Sequence, residues 1–195
     1  MSGAEERGDA AILERMTRRE RVLRDQSDAL RSGHRSDPRS MLAVIDMESN
    51  GLKHSTYPIE VGYAIGHGME PAITGSMLVS PRASWASDSA GDASLINGID
   101  PVDLEDASDA DSVCDILDRL LDGMTMTCDG GSHDRYWLNR LYDGRVPAFT
   151  LADVESDIAA RIQEMRGKTS FVHRAGPDSL WLYRAIRIAR GEKRK

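Results

Sequence analysis

Short apolar segments separated by turn residues divide the first half of the main domain into strands. Residues 41–48, 58–67 and 72–79 are rich in β-branched and other apolar side chains, and Gly, Pro, Ser and Asn separate them. Three such strands in succession predict an antiparallel meander. A polar, acidic loop follows over roughly residues 81–110.

The periodicity changes in the second half of the chain. From Val113 onward apolar residues recur at helical spacing, and Gly123 follows in a position typical of a helix C-cap. Two later helix starts carry capping signals, the pattern Thr150-x-x-Asp153 and Pro177 in a first turn. The remaining predicted elements are a strand at 124–128, helices at about 132–142 and 151–166, a strand at 169–173 and a final helix from about Pro177.

This order of elements predicts an α/β fold. We expect a mixed five-stranded sheet flanked by helices, with three antiparallel strands first and then two strands that alternate with helices. Before it, residues 8–32 are rich in Ala, Leu, Arg and Glu and predict a helix, and the following SGHRSDPRS is typical of a linker. We therefore divide the chain into an N-terminal helical arm with its linker, residues 1–40, and one main domain, residues 41–195.

Composition limits the class of protein. The chain has 195 residues and 40% apolar content, which is ordinary for one packed globular domain. It contains no run of about 18 apolar residues, and its N-terminal residues are highly charged, so we expect a cytoplasmic protein that does not contact a membrane. Cys114 and Cys128 are too few for a disulfide framework or a thiolate metal site, and we expect both to be small buried side chains.

Charge is distributed unevenly along the chain. The net charge of −7 argues against a protein that coats nucleic acid through a basic surface. Residues 88–122 carry almost only acidic charges, whereas the chain from Arg184 onward is mostly basic. The basic end fits either phosphate contacts or a solvated helix C-terminus.

Two carboxylates stand where the first predicted strand ends. Residues i and i+2 of a strand face the same side, so Asp46 and Glu48 project together and their charges repel. The pattern indicates a positive group between them, unless the strand has reached solvent and both carboxylates are hydrated.

Two aspartates open predicted helices in the same sequence context. Asp134 and Asp178 each precede Trp-Leu at i+3 and i+4, which places both carboxylates on the core-facing stripe of a helix. A buried charge needs a cation or donors, although a first-turn anion that interacts with the helix dipole is the alternative. With Asp46 and Glu48 they make four carboxylates, the oxygen ligands that Mg²⁺ and Mn²⁺ prefer.

A histidine follows the last predicted strand. His173 stands five residues before Asp178 across a short loop, so both are expected at one edge of the sheet. A histidine at a strand end is often structural. Beside an acidic metal cluster it is better suited to act as a general base, because its reference pKa of about 6.5 fits proton removal from water.

Together these residues resemble the DEDDh 3′–5′ exonucleases, the group that includes proofreading subunits, RNase T and oligoribonuclease. The resemblance covers about residues 41–190, and "PIEVGYAI" and "LINGI" are similar to further family segments. It implies an RNase H-like fold, in agreement with the element order. The motifs, in the family's order, are DxE on the first strand (Asp46, Glu48), an acid opening a helix after the fourth strand (Asp134), and His-x4-Asp before the last helix (His173, Asp178).

The resemblance implies a two-metal mechanism. Asp46, Glu48 and Asp178 would hold two divalent cations, Mg²⁺ or Mn²⁺, about 4 Å apart, and Asp134 would complete the cluster. His173 would take the proton of a water that attacks the terminal phosphodiester at the 3′ end of single-stranded DNA or RNA. The product would be a nucleoside 5′-monophosphate.

Three apolar side chains are candidate substrate contacts. Met47 and Leu52, beside the first motif, are expected to bind the terminal base and sugar, with core packing as the alternative. Trp85, in the acidic loop, is a candidate for base stacking. No spacing distinguishes DNA from RNA.

The segment before Asp134 departs from the family pattern. CDGGSHD stands where many relatives carry an Asn-Ala type pair, so local substrate contacts are expected to differ. Asp129 lies nearby, but only Asp134 is followed by apolar residues at helical spacing, and we assign the motif to it. His133 is expected to face away from the site.

Two other functions fit the same residues. The first is a non-catalytic nucleic-acid-binding or assembly module, in which the N-terminal arm joins two copies into a homodimer. Degenerate relatives are expected to lose at least one of the five site residues, and all five are present. The second is a metal-dependent phosphohydrolase that acts on small nucleotides and uses the same site.

Overall fold

The computed structural model describes residues 41–51, 56–85, 94–167 and 173–192. All of them belong to one compact unit, Asp37–Lys195. The predicted arm at 8–32, the predicted strand at 169–173 except His173, and Leu52 lie outside the described residues. Within the described ranges, no helix is both long enough and apolar enough to cross a bilayer.

Within the described residues, a mixed six-stranded sheet forms the centre of the domain, where five strands were predicted. β1 pairs antiparallel with β2, and β2 with β3, which confirms the predicted meander. β5 is parallel to β1, β6 is parallel to β5, and the short β4 is parallel to β3, giving the order β4-β3-β2-β1-β5-β6. The strands are β1 (Leu42–Ser49), β2 (Pro58–Gly66), β3 (Ile73–Ser80), β4 (Ser108–Asp109), β5 (Thr125–Cys128) and β6 (Thr150–Asp153).

Helices flank this sheet, as the sequence predicted. The helix at 132–142 has the predicted bounds, and the final helix begins two residues before Pro177. The helices are α1 (Ser94–Asn97), α2 (Ala110–Leu121), α3 (Ser132–Tyr142), α4 (Ser156–Arg166) and α5 (Ala175–Ala189).

Two predicted segments have a different local structure. Thr150–Asp153, predicted to open a helix, is strand β6, and α4 begins only at Ser156. The reason is pairing, because Thr125 to Cys128 of β5 align with these four residues and satisfy their backbone groups. The loop at 81–110 holds α1, β4 and the 3₁₀ turns Ala83–Trp85 and Pro101–Leu104.

A hydrophobic cluster lies where α5 packs on β1 and β2. Every residue of β2 is buried, because the strand is central in the sheet. Cys114 and Cys128 are free and buried, as predicted. The cluster under α5 consists of Leu42, Val44, Ala64, Ile158, Ile162, Leu182, Tyr183, Ala185, Ile186 and Ala189.

Glycines let the first turn of α5 approach the sheet closely. A Cβ atom on Gly62 of β2 would lie 2.0 Å from the backbone oxygen of Ala175, so no side chain fits at this position. A Cβ atom on Gly176 would lie 3.1 Å from the side chain of Ser76 in β3. Backbone therefore packs on backbone at this point, and the start of α5 is fixed relative to β1 and β2.

We predict that Gly62→Ala destabilises the protein by about 3 kcal/mol or more, because the added methyl group meets backbone that cannot move without shifting α5. Urea unfolding measures this loss. Gly68→Ala is the control, since a Cβ atom there meets nothing within 4 Å. Equal stability of the two variants would contradict the proposed close packing.

Candidate metal centre

The carboxyl end of β1 presents two partly buried carboxylates to one side. Asp46 pairs in register with Gly62 of β2, and Glu48 pairs with Glu60. Met47, between them, is 4% exposed and belongs to the core, as expected for the opposite face of a strand. Its side chain thus has the core packing that was the alternative to a substrate contact.

The first turn of α5 brings the histidine motif to Glu48. The candidate ligand atoms of Glu48, His173 and Asp178 all lie within 4.8 Å of one another. His173 is exposed, and its φ of 51° is in the left-handed region, which costs a non-glycine residue about 1–2 kcal/mol. Such strained residues are concentrated at functional sites.

The first turn of α3 supplies the fourth acid. Asp134 is 2% exposed, and the Gly130 backbone N–H donates to its Oδ2 at 2.9 Å. A Cβ atom on Gly130 would lie 2.6 Å from the Asp134 carboxylate, so the turn before α3 is shaped around this acid. Trp137 anchors the same helix, because its Nε1 donates to Thr56 Oγ1 at 3.2 Å in the interior.

The four acids form one electrostatic cluster. Burial raises the pKa of Asp46 well above its usual value, and repulsion from Asp134, Glu48, Asp129 and Asp178 raises it further. Asp46 is therefore coupled electrostatically to the other three predicted carboxylates and to Asp129, while the group of ligand atoms within 4.8 Å of one another consists of Glu48, His173 and Asp178.

Burial is also the main cause of the raised pKa values of the other three acids. It raises the pKa of Glu48 to about 7, with Asp178 and Glu60 adding repulsion, and that of Asp134 to about 6. The pKa of Asp178 is raised as well. A site that resists negative charge in this way favours a bound cation.

A buried ion pair holds the start of α5 beside the cluster. Glu60 is 1% exposed, accepts from Arg174 Nε at 2.9 Å and Nη2 at 3.2 Å, and also accepts from the Ala175 N–H at 3.0 Å. This carboxylate joins β2 to the helix that carries Asp178. Sequence reasoning missed it, although a glutamate inside the apolar run PIEVGYAI was a usable signal.

Two further polar residues border the cluster. Asp129, the acid that competed for the motif assignment, forms an ion pair with Arg166 at 2.5 Å. Asn97, at the end of α1, donates to the Ser49 carbonyl at 3.2 Å, and its side chain acts to lower the pKa of Glu48 against the larger effect of burial. Asn97 belongs to the LINGI segment, so a signal for it was present in the sequence.

Trp85 does not present a free ring face for stacking. It is 3% exposed and stacks on Tyr57, with ring centroids 5.3 Å apart at an angle of 18°. The prediction that Trp85 itself stacks on a base is therefore wrong, because Tyr57 and two arginine guanidinium groups within 6 Å already surround the indole.

Several solved structures have a fold similar to that of this chain. A 3′-exonuclease that recognises the histone mRNA stem-loop is 15% identical, with 78% of this chain and 64% of that chain covered and a TM-score of 0.59. E. coli exonuclease I with a dA16 oligonucleotide is 10% identical (78% and 42% covered, TM-score 0.57), and exonuclease X is 18% identical (78% and 94% covered, TM-score 0.50).

These similarities establish the fold. The chain spans less than two thirds of the histone-mRNA exonuclease and about two fifths of exonuclease I. No protein-family model and no curated protein sequence matches this chain. The domain thus has the mixed α/β fold found in these exonucleases.

Stability of the metal-free protein is expected to depend on pH through Glu48. Its pKa rises from 4.5 to about 7 on folding, so this group favours the folded state below pH 4.5 and loses that contribution as pH rises through 7. In EDTA at pH 8 we predict that Glu48→Gln raises the Tm by about 5 °C, and that the gain is mostly lost at pH 5.

Calorimetry of both proteins at the two pH values measures this effect. Glu105→Gln, which changes an exposed carboxylate, is the control and should leave the Tm unchanged. A lower Tm for Glu48→Gln at pH 8 would show that the carboxylate is stabilised without metal, contrary to the repulsion described above.

The Glu60–Arg174 ion pair should contribute more to the free energy of unfolding than an exposed ion pair on the same helix. We predict that Glu60→Gln lowers the free energy of unfolding by about 1–3 kcal/mol, because Glu60 is buried while Arg174 is one third exposed. Glu70→Gln, which breaks the exposed pair with Arg184, should cost less than about 1 kcal/mol. Urea unfolding measures the loss of stability in both variants. Equal losses for Glu60→Gln and Glu70→Gln would contradict the larger contribution of the Glu60 ion pair.

Proposed function

We propose that the chain is a metal-dependent 3′–5′ exonuclease of the DEDDh type, which releases nucleoside 5′-monophosphates from single-stranded nucleic acid. The observation that carries the proposal is the meeting of Glu48, His173 and Asp178 within 4.8 Å, next to Asp46. Glu48 lies on β1, whereas His173 and Asp178 come from the motif at the start of α5. With Asp46 and Asp134 they are the five residues that the resemblance implies.

The donor set fits divalent cations such as Mg²⁺ or Mn²⁺. Asp46, Glu48 and Asp178 offer carboxylate oxygens, the hard ligands that these ions prefer, and Asp134 completes the cluster. The raised pKa values of these acids indicate negative charge without sufficient compensation. When bound, a pair of such cations lowers the pKa of the attacking water and stabilises the charge on the phosphodiester.

The chain's own residues orient the reactants. His173 accepts the proton of the attacking water, and its exposure at the rim of the cluster leaves room for substrate. Glu60 and Gly62 fix the start of α5, so the separation between Asp178 and the β1 acids is constant. Because all four acids lie on strands or helices, the site is held rigidly.

The fold neighbours support this proposal through their substrates. One recognises the 3′ end of a histone mRNA stem-loop, one binds a dA16 oligonucleotide, and one is in complex with duplex DNA that has a 5′ overhang. A zinc-bound form of an exonuclease I complex with single-stranded DNA supports a metal site in this fold. We propose that nucleic acid is also the substrate of this chain.

The test uses 5′-labelled DNA and RNA oligonucleotides of several lengths with Mg²⁺, Mn²⁺ or EDTA. We predict a ladder that shortens from the 3′ end, release of 5′-mononucleotides, and no reaction in EDTA. Asp178→Asn should abolish hydrolysis, and His173→Ala should lower the rate by about 10²–10⁴.

Asp157→Asn is the matched control, since Asp157 is also a first-turn aspartate but is exposed on α4. It should hydrolyse at the wild-type rate. Full activity of Asp178→Asn, internal cleavage, or turnover of mononucleotide esters alone would overturn the proposal.

A further inference from the structure

A polar and aromatic cavity lies along α3, outside the acidic cluster. Its volume is about 360 Å³, within the range of about 300–1,000 Å³ typical of small-molecule sites. None of its lining residues belongs to the candidate metal centre. They are Ser84, Trp85, Tyr136, Asn139, Arg140, Asp143 and Gly144.

Two aromatic rings hold an arginine in this cavity. The Arg140 guanidinium lies 5.8 Å from the Trp85 ring centroid and 6.0 Å from that of Tyr136, and its Nη1 donates to the Tyr136 hydroxyl at 3.3 Å. The stacking of Trp85 on Tyr57 makes the indole a rigid support. Arg140 is thereby preorganised as a planar cation, and little side-chain entropy is lost when a ligand binds it.

The cavity lies on the same helix as Asp134 but along a different strip of α3. His133, Tyr136 and Arg140 are spaced i, i+3 and i+7, so they share a face of the helix. His133 is adjacent to Asp134 and exposed. At 1.5 Å per residue the strip is about 10 Å long, a distance that one or two nucleotides of an extended strand span.

We propose that this cavity binds a nucleobase and its phosphate in the part of the strand that lies 5′ of the scissile nucleotide. The base stacks on the Tyr136 ring, and the Arg140 guanidinium contacts the phosphate. Asn139 and Ser84 offer hydrogen-bonding groups to the base edge, while Asp143 disfavours a phosphate at its end of the cavity. The 5′ direction of the bound nucleic acid rests on the proposed function, whereas the binding of nucleic acid by this cavity does not.

The test measures binding by fluorescence anisotropy with labelled dT10 and rU10, in EDTA and in Ca²⁺, so that no hydrolysis is required. At about 50 mM salt we expect Arg140→Gln to weaken binding about fivefold and to reduce the slope of log Kd against log salt by about 0.7. Tyr136→Leu should weaken binding about tenfold. Arg119→Gln, which removes an exposed arginine from α2, is the control and should bind like the wild type.

Several outcomes would overturn the inference. They are equal binding by all variants, no binding of either oligonucleotide by the wild type, and Arg140-dependent binding of dTMP alone, which would identify a free-nucleotide site. If Tyr136→Leu does not fold, Arg140→Gln decides the question. Intact oligonucleotides in Mg²⁺ and Mn²⁺ would refute the exonuclease proposal and leave the binding comparison valid.

Discussion

Repulsion among buried carboxylates is the interaction on which the site depends. Asp46 lies where its own burial and four neighbouring acids all oppose ionisation, and Glu48, Asp134 and Asp178 have raised pKa values for related reasons. Apolar residues at these positions would make the fold more stable, so stability alone does not explain the four acids. The proposed divalent cation accounts for their presence together, because it carries the opposite charge and prefers oxygen donors.

The fold offsets this repulsion by fixing the elements that carry the acids. α5 is held against β2 by backbone contact at Gly62 and by the buried Glu60 carboxylate, which accepts from Arg174 and the Ala175 N–H. These contacts lie one turn or less from Asp178. The site is therefore positioned by packing and hydrogen bonds that persist without a metal, and binding would not require the chain to rearrange.

Sequence patterns predicted the elements well where each one is specified locally. Apolar segments between turn residues identified β1 to β3, and the bounds of α3 were predicted correctly. Thr150–Asp153 was assigned to a helix because it carries a capping pattern. A pattern of only four residues is weak evidence for a helix. The conformation of this segment is decided by pairing with β5, a contact that only the tertiary structure supplies.

Sequence motifs identified the candidate acids, whereas the strand register that surrounds them could not be predicted. The motifs of Asp46 and Asp178 are visible in the sequence, but the register that places Gly62 beside Asp46 and Glu60 beside Glu48 follows from strand pairing. The burial of Trp85 likewise depends on Tyr57, which is distant in sequence.

The most direct test of the central claim is anomalous diffraction from crystals soaked in Mn²⁺. The account predicts anomalous density contacted by carboxylate oxygens of Asp46, Glu48 and Asp178. Density absent at saturating Mn²⁺, or located away from these three side chains, would contradict it.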